Sequence, residues 1–270
     1  MFEFIKINAQ CESKPQPITI DSKVLRLEGK PSPDGKWLAF TSNQYGNNDV
    51  YIMPMQGGNI KQLTFHQAND AVASWNWDSK TINFVSNRYN SRTNYTVSIK
   101  GETPKRTFPH YFNTVHNVVQ HPKTKDIYFN ESWESSNFAN RKRYKGDYNP
   151  DLKSYNLKTK KFTKHTSYRG KDFGATIDKE GKLYFMSDEY NGEYNLYQLE
   201  NGKKKRLTKF KTAIFWPKVA ANGSHIVFRK DYQVYIYDVA KQTSKKLKII
   251  INNNSSLSKN QTYNVKGNIT

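Results

Sequence analysis

The densest grouping of chemically useful side chains is ESWESSNFANRKRYKGDYNP, residues 131 to 150, where Arg141, Lys142, Arg143 and Lys145 lie among Trp133, Phe138, Tyr144 and Tyr148. Cations interleaved with aromatic rings can hold a peptide carboxylate or an acidic protein surface, because the cations supply charge-assisted hydrogen bonds and the rings supply apolar contact. Arg141, Lys142, Arg143, Tyr144 and Lys145 are therefore the candidate binding residues. The plainer reading of the same stretch is a long solvated hairpin.

Catalytic and metal-binding candidates are sparse. Cys11 is the single cysteine, so neither an internal disulfide nor a cysteine cage for a metal can form. His66, His110 and His165 fall at equivalent places in successive repeats, which favours a role in loop structure over ligation. The chain has no His-x-x-x-His pair and no Gly-x-Ser-x-Gly elbow. Asp49 and Asp151 each precede an apolar run and are expected to accept from turn amides. No catalytic constellation, metal site or cofactor is expected.

The elements that would position these residues are legible as a repeat. A tight turn followed by a strand of pattern x-aliphatic-x-Phe occurs five times, ending at Phe40, Phe84, Phe129, Phe185 and Phe228. The intervals are 43 to 45 residues apart from one of 56, which contains residues 131 to 150. Each unit adds an apolar run before the turn, a second run such as DVYIM or QVYIYDV, and a last polar strand such as IKQLTF or KKRLTKF. Alternation has the two-residue period of strands, and no helical period is evident. Four antiparallel strands per repeat define a propeller blade, because a single blade cannot bury its own apolar faces and neighbouring blades must cover them. In SWNWDSK, alternation predicts that one of Trp75 and Trp77 faces the blade interior and the other a neighbouring blade.

Composition agrees with an all-β chain of 270 residues that is 14% aromatic. No apolar window is long enough for a membrane span. The charge of +20 comes from 34 Lys and only 9 Arg, whereas phosphate and base recognition favours the planar arginine fork. Lys61, Lys105, Lys160, Lys161, Lys203 to Lys205, Lys245 and Lys246 fall at or next to each repeat's last strand, where lysines keep an exposed sheet edge from pairing with another. No nucleic-acid partner is expected. Residues 1–27 read as the two outer strands of an incomplete first blade, with no basic start and apolar core of a signal peptide. Residues 28–250 read as five blades with a hairpin inserted at about 131–150, and residues 251–270 as a linker or the start of a further strand.

The stretch SPDGKWLAFTSNQYGNNDVYIMPMQGGNIKQLTFH resembles the WD40-like blades of TolB and tricorn-type propellers, which run Ser-Pro-Asp-Gly-Lys, apolar alternation, Asp-aliphatic-Tyr, Gly-Gly and Leu-Thr. Lys142, Arg143, Tyr144, Lys145 and Gly146, followed by Asp151 and Leu152, resemble a segment in the first propeller of tricorn-like serine proteases of the S41 type. The resemblance covers about residues 3 to 250. It implies a six-bladed β-propeller of four-stranded antiparallel blades, followed in such proteins by a second propeller, a PDZ-like domain and a Ser/His catalytic region. The family's catalytic residues map onto nothing in this chain. In some members the propeller presents an arginine pair to the substrate's C-terminus, but FHQANDAVASW here has no arginine. The implied function is a non-catalytic module that guides or filters peptides for a catalytic domain outside this chain. The alternative is a TolB-like protein-interaction scaffold. Relatives of this composition are often exported, and the location of this protein is left open.

Overall fold

The structure is a computed structural model that describes residues 29–89, 91–109 and 114–249. Each sequence repeat becomes one four-stranded antiparallel sheet with its strands in chain order. The first contains β1 (Lys30–Pro31), β2 (Trp37–Ser42), β3 (Asp49–Pro54) and β4 (Lys61–Gln62). The second contains β5 (Asp70–Trp75), β6 (Thr81–Ser86), β7 (Thr93–Ser98) and β8 (Lys105–Arg106). The third contains β9 (Val115–Gln120), β10 (Ile127–Glu131), β11 (Lys153–Tyr155) and β12 (Phe162–Lys164), with a short helix α1 (Trp133–Asn137) between β10 and β11. The fourth contains β13 (Asp172–Ile177), β14 (Leu183–Ser187), β15 (Asn195–Glu200) and β16 (Lys203–Arg206). The fifth contains β17 (Ile214–Val219), β18 (His225–Lys230), β19 (Gln233–Asp238) and β20 (Thr243–Lys246).

Among the described residues the propeller therefore has five blades, and the six-bladed type implied by the resemblance is corrected. The physical reason lies in the repeat itself. Each of the five turn-plus-strand units forms one blade, and the sixth rested on the resemblance and on the two outer strands read into residues 1–27, where no such unit occurs. The assignments for residues 1–27 and 251–270, with Cys11 and His110, lie outside the described residues. A second correction concerns residues 131–150, which are not a plain hairpin. Ser132 caps α1, its Oγ accepting from the amides of Glu134 at 3.1 Å and Ser135 at 3.4 Å.

The blades pack in series through apolar clusters that join the first to the second, the second to the third, the third to the fourth and the fourth to the fifth. Among the described residues no strand of the first blade packs extensively on the fifth. Trp75 and Trp77 act as opposite links. The Trp75 indole donates to the Lys30 carbonyl in the first blade at 2.7 Å, and that of Trp77 to the Gln120 carbonyl in the third at 2.9 Å. Both tryptophans therefore bridge blades, where one was expected to fill its own.

Two repeated details follow from the motif. The phenylalanines Phe129, Phe185 and Phe228 each lie opposite a register shift in the innermost strand, where the backbone turns left-handed at Asn117, Gly174 and Trp216. In three blades an acidic or amide residue at or just before the third strand is held by a threonine two residues beyond the last strand. Thr64 donates to Asp49 at 2.9 Å, Thr166 to Asp151 at 3.0 Å and Thr208 to Asn195 at 2.9 Å. Asp49 and Asp151 are thus locked by threonine hydroxyls instead of turn amides. Each threonine oxygen also accepts from the next residue's amide, those of Val50, Leu152 and Leu196. Burial raises the Asp49 pKa, against the Thr64 hydrogen bond that lowers it.

Candidate functional site

Antiparallel order within each blade sends every second-to-third-strand loop and every blade-to-blade connector to the same end of the propeller. The first-to-second and third-to-fourth-strand turns lie at the other end. This division sorts the exposed apolar side chains. Tyr45, Phe65, Tyr89, Phe138, Tyr148 and Tyr232 all belong to the first set of loops, whereas Ile60 alone among the large exposed apolar residues lies in the second. Exposed aromatic residues gathered on one end mark a surface suited to contact with another molecule.

The segment 131–150 lies on that end and leans over the fourth blade. Glu134 is fully buried and receives Arg141 on both carboxylate oxygens, at 2.8 and 2.5 Å. The equally buried Lys171, just before β13, reaches Glu134 at 2.8 Å and the Phe138 carbonyl at 2.9 Å. Burial pushes the Lys171 ammonium below its usual pKa, and Glu134 opposes that shift. Glu193 binds Lys142 at 2.6 Å and Arg143 at 2.7 Å. Asp188 accepts from the Arg143 amide at 3.1 Å and lies 3.8 Å from the Lys145 ammonium. The Arg141 guanidinium also lies over the Tyr144 ring, 4.2 Å from its centroid. Gly192 leaves room for the Arg143 side chain, since a Cβ there would meet Arg143 Cγ at 2.9 Å and its φ is +70°.

The five sequence candidates are therefore brought together, and all four cations have carboxylate partners. Sequence reading missed the partners Glu134, Lys171, Asp188 and Glu193. Of these, Glu134 carried a local signal, the Ser132 cap followed by an acid in the first turn of a helix. The others come from the next repeat, and only blade packing reveals them.

A buried serine and histidine also meet beside α1. Ser135 Oγ lies 2.7 Å from His116 Nε2, which is 3.0 Å from the Ser132 carbonyl. The amide network assigns the tautomer. Asn130 gives its NH₂ to the carbonyls of Asp151 and Asp172, so its oxygen must accept from Asn117 Nδ2. That same NH₂ reaches His116 Nδ1 at 2.9 Å. His116 Nδ1 is therefore an acceptor and Nε2 carries the proton toward Ser132 and Ser135. A general base for Ser135 would need the opposite tautomer. Burial lowers the His116 pKa to about 4, with the neighbouring Arg92 adding to the effect.

Of the two repeat histidines that are described, His66 serves its loop and His165 packs on strands. His66 Nδ1 accepts from the Ala68 amide at 3.0 Å, and His165 stacks on Tyr128 with centroids 5.0 Å apart. Among the described residues no group of three or more His, Cys, Asp or Glu side chains is placed to hold a metal ion. No helix among them is long and apolar enough to cross a membrane.

Two clefts open on the aromatic end. One, of about 270 Å³, lies between the inserted segment and the outer part of the third blade, with Glu131, Trp133, Tyr148 and Lys153 on its walls. The other, of about 610 Å³, lies between the inserted segment and the fifth blade. Asn140 and Lys142 form one side of it, and Thr212, Ala213, Phe215, Arg229, Asp231 and Tyr232 the other.

Four-stranded blades in series, with the exposed aromatic side chains and both clefts at one end, define a β-propeller. The comparisons with known proteins narrow the class. Residues 12–243 match the tricorn protease N-terminal beta propeller domain, and the chain belongs to that family. A tricorn protease homolog from Saccharolobus solfataricus is 28% identical over 248 residues, which is 87% of this chain and 22% of the homolog. In fold, the chain is similar to a putative TolB from Agrobacterium tumefaciens, with a TM-score of 0.67 and 16% identity over 82% of this chain and 79% of that one. It is also similar to the tricorn protease crystal structure, with a TM-score of 0.63 and 17% identity over 82% of this chain and 22% of that one. The chain thus spans about a fifth of the tricorn relatives it matches.

Proposed function

We propose that this chain is the peptide-handling propeller of a tricorn-like protease. In this reading it cleaves nothing itself and presents peptides to a catalytic region of the S41 type, with a PDZ-like domain among its neighbours. The observation that carries the reading is family membership across residues 12–243 within a relative of which the chain makes up 22%. The His116 tautomer supports the non-catalytic part, since the Ser135–His116 contact has its proton on the wrong nitrogen for serine activation. The aromatic, cation-bearing end supports contact with polypeptides. Arg141, Lys142, Arg143, Tyr144 and Lys145 remain the proposed binding segment, with their acid partners holding the cations in place and lowering their free charge.

The test is direct. Purified protein is expected to bind fluorescein-labelled acidic peptides, more weakly as salt rises, and to release no fluorophore from fluorogenic peptide substrates. Hydrolysis that disappears in Ser135→Ala would overturn the reading. The fold likeness to TolB, which spans most of that chain, favours a second reading as a scaffold for protein partners. A coding sequence that runs on into PDZ-like and serine-protease regions would decide for the first.

A further inference from the structure

The fifth blade places an aromatic residue at each of two left-handed backbone positions, one at the inner-strand register shift and one in the turn between β18 and β19. Among the described non-glycine residues with left-handed backbone, Trp216 (φ 55°) and Tyr232 (φ 59°) are the aromatic ones. Bulky residues are disfavoured there by contact between Cβ and the following carbonyl, and such strain tends to persist where function requires it. Both side chains are exposed, Trp216 by 41% and Tyr232 completely, so core burial does not offset the cost. Tyr232 occupies the two-residue turn between β18 and β19, where its partner Asp231 is also left-handed (φ 47°). Asn-Gly would suit such a turn better. Asp231 is held by the Thr212 hydroxyl at 3.0 Å and by Lys230, which fixes the turn and keeps Tyr232 at the rim of the larger cleft.

Arg229 supplies the complementary polar feature. It is exposed, lines the same cleft, and has its guanidinium 5.4 Å from the centroid of the Phe215 ring. Unlike the cations of the inserted segment, it has no carboxylate partner among the described residues. Lys142, across the cleft, is already committed to Glu193. A guanidinium lying on an aromatic ring presents its N–H groups edgewise, the geometry that takes a carboxylate in two parallel hydrogen bonds.

Resting on the reading of this chain as a peptide-handling propeller, we infer that the cleft between the inserted segment and the fifth blade is a subsite for an extended peptide segment in which an Asp or Glu adjoins an aromatic or aliphatic residue. Arg229 receives the side-chain carboxylate, and Phe215 and Tyr232 receive the apolar neighbour. An exposed ring beside a half-buried one without a cation would accept any apolar segment, and an exposed arginine without rings any anion. Their placement in one cleft selects the combination.

The experiment measures fluorescence anisotropy of two labelled Gly-Ser decapeptides, one containing Glu-Phe and the other Gln-Phe, with the full chain. The parent is expected to prefer the Glu-Phe peptide by about fivefold, the scale of a part-exposed charge-assisted contact. Arg229→Gln is expected to erase that preference. Tyr232→Asn, which suits the left-handed turn, is expected to weaken both peptides and keep their ratio. Circular dichroism melts verify that each variant folds. Binding without a Glu preference, or a preference that survives Arg229→Gln, overturns the subsite and leaves the peptide-handling reading standing. Absence of binding by the parent for both peptides at millimolar concentration overturns both. Sedimentation that reveals a dimer lost in Tyr232→Asn assigns the cleft to a second copy and overturns the subsite too.

Discussion

At the residue scale, His116 couples the inserted segment to pH. Its pKa of about 4 in the folded chain lies below the ordinary 6.5, so the unfolded chain binds more protons between these values. Stability is then lost as pH falls from 6.5 toward 4. Between pH 7 and pH 5 this one group costs about 2 kcal/mol. Urea midpoints should fall over that range in the parent, and His116→Gln, which keeps a donor and an acceptor, should flatten the slope. Glu134 gives a second expectation. Glu134→Gln leaves Lys171 buried without its counter-charge and should destabilise by about 3 kcal/mol. Arg141→Gln, which removes a half-exposed cation from the same carboxylate, should cost about 1 kcal/mol or less. Equal losses in the two variants would show that Glu134 is stabilised through Arg141, and not through Lys171. The cationic run was legible because its residues are adjacent in the chain. Its acid partners were not, since Glu193 and Asp188 lie about 50 residues away on the next blade.

At the element scale, the repeat that revealed the blades also explains their details. The Asp or Asn at or before the third strand and the Thr beyond the last are present in the sequence of the first, third and fourth blades, but their bond crosses two paired strands and needs the sheet to be visible. Thr208→Val removes a donor to the buried Asn195 and an acceptor for the Leu196 amide. It should lower stability by about 1 to 3 kcal/mol, read from chemical denaturation. Gly174 offers a parallel test of the inner-strand bulge. Its φ is +74° and a Cβ would meet Met186 Cε at 2.8 Å, so Gly174→Ala should cost about 1 to 3 kcal/mol. The helix α1 escaped the periodicity argument because a single turn offers too few residues for a period to register. Its serine cap was the readable sign.

At the scale of the whole molecule, burial differs sharply between the fourth and fifth blades. In the fourth blade, β13 and β14 are buried throughout, while β19 in the fifth has one buried residue, Tyr237. Each blade is stabilised mainly by its neighbours, so opening should begin where one side is less covered. Hydrogen exchange is expected to be faster in β18 and β19 than in β13 to β15, and uniform protection across the blades would refute this. The blade count shows the limit of partial signals: five turn-plus-strand units were countable in the sequence, and the expected sixth joined the resemblance to two outer strands in residues 1–27 that lack such a unit. The position of Trp216 has an optical consequence. Of five tryptophans it is the exposed one, so its emission should lie furthest to the red and respond first to iodide, an anion drawn to a chain of charge +20. The protein thereby carries an intrinsic dye at the inner edge of its fifth blade, and spectroscopy can follow that edge without any label.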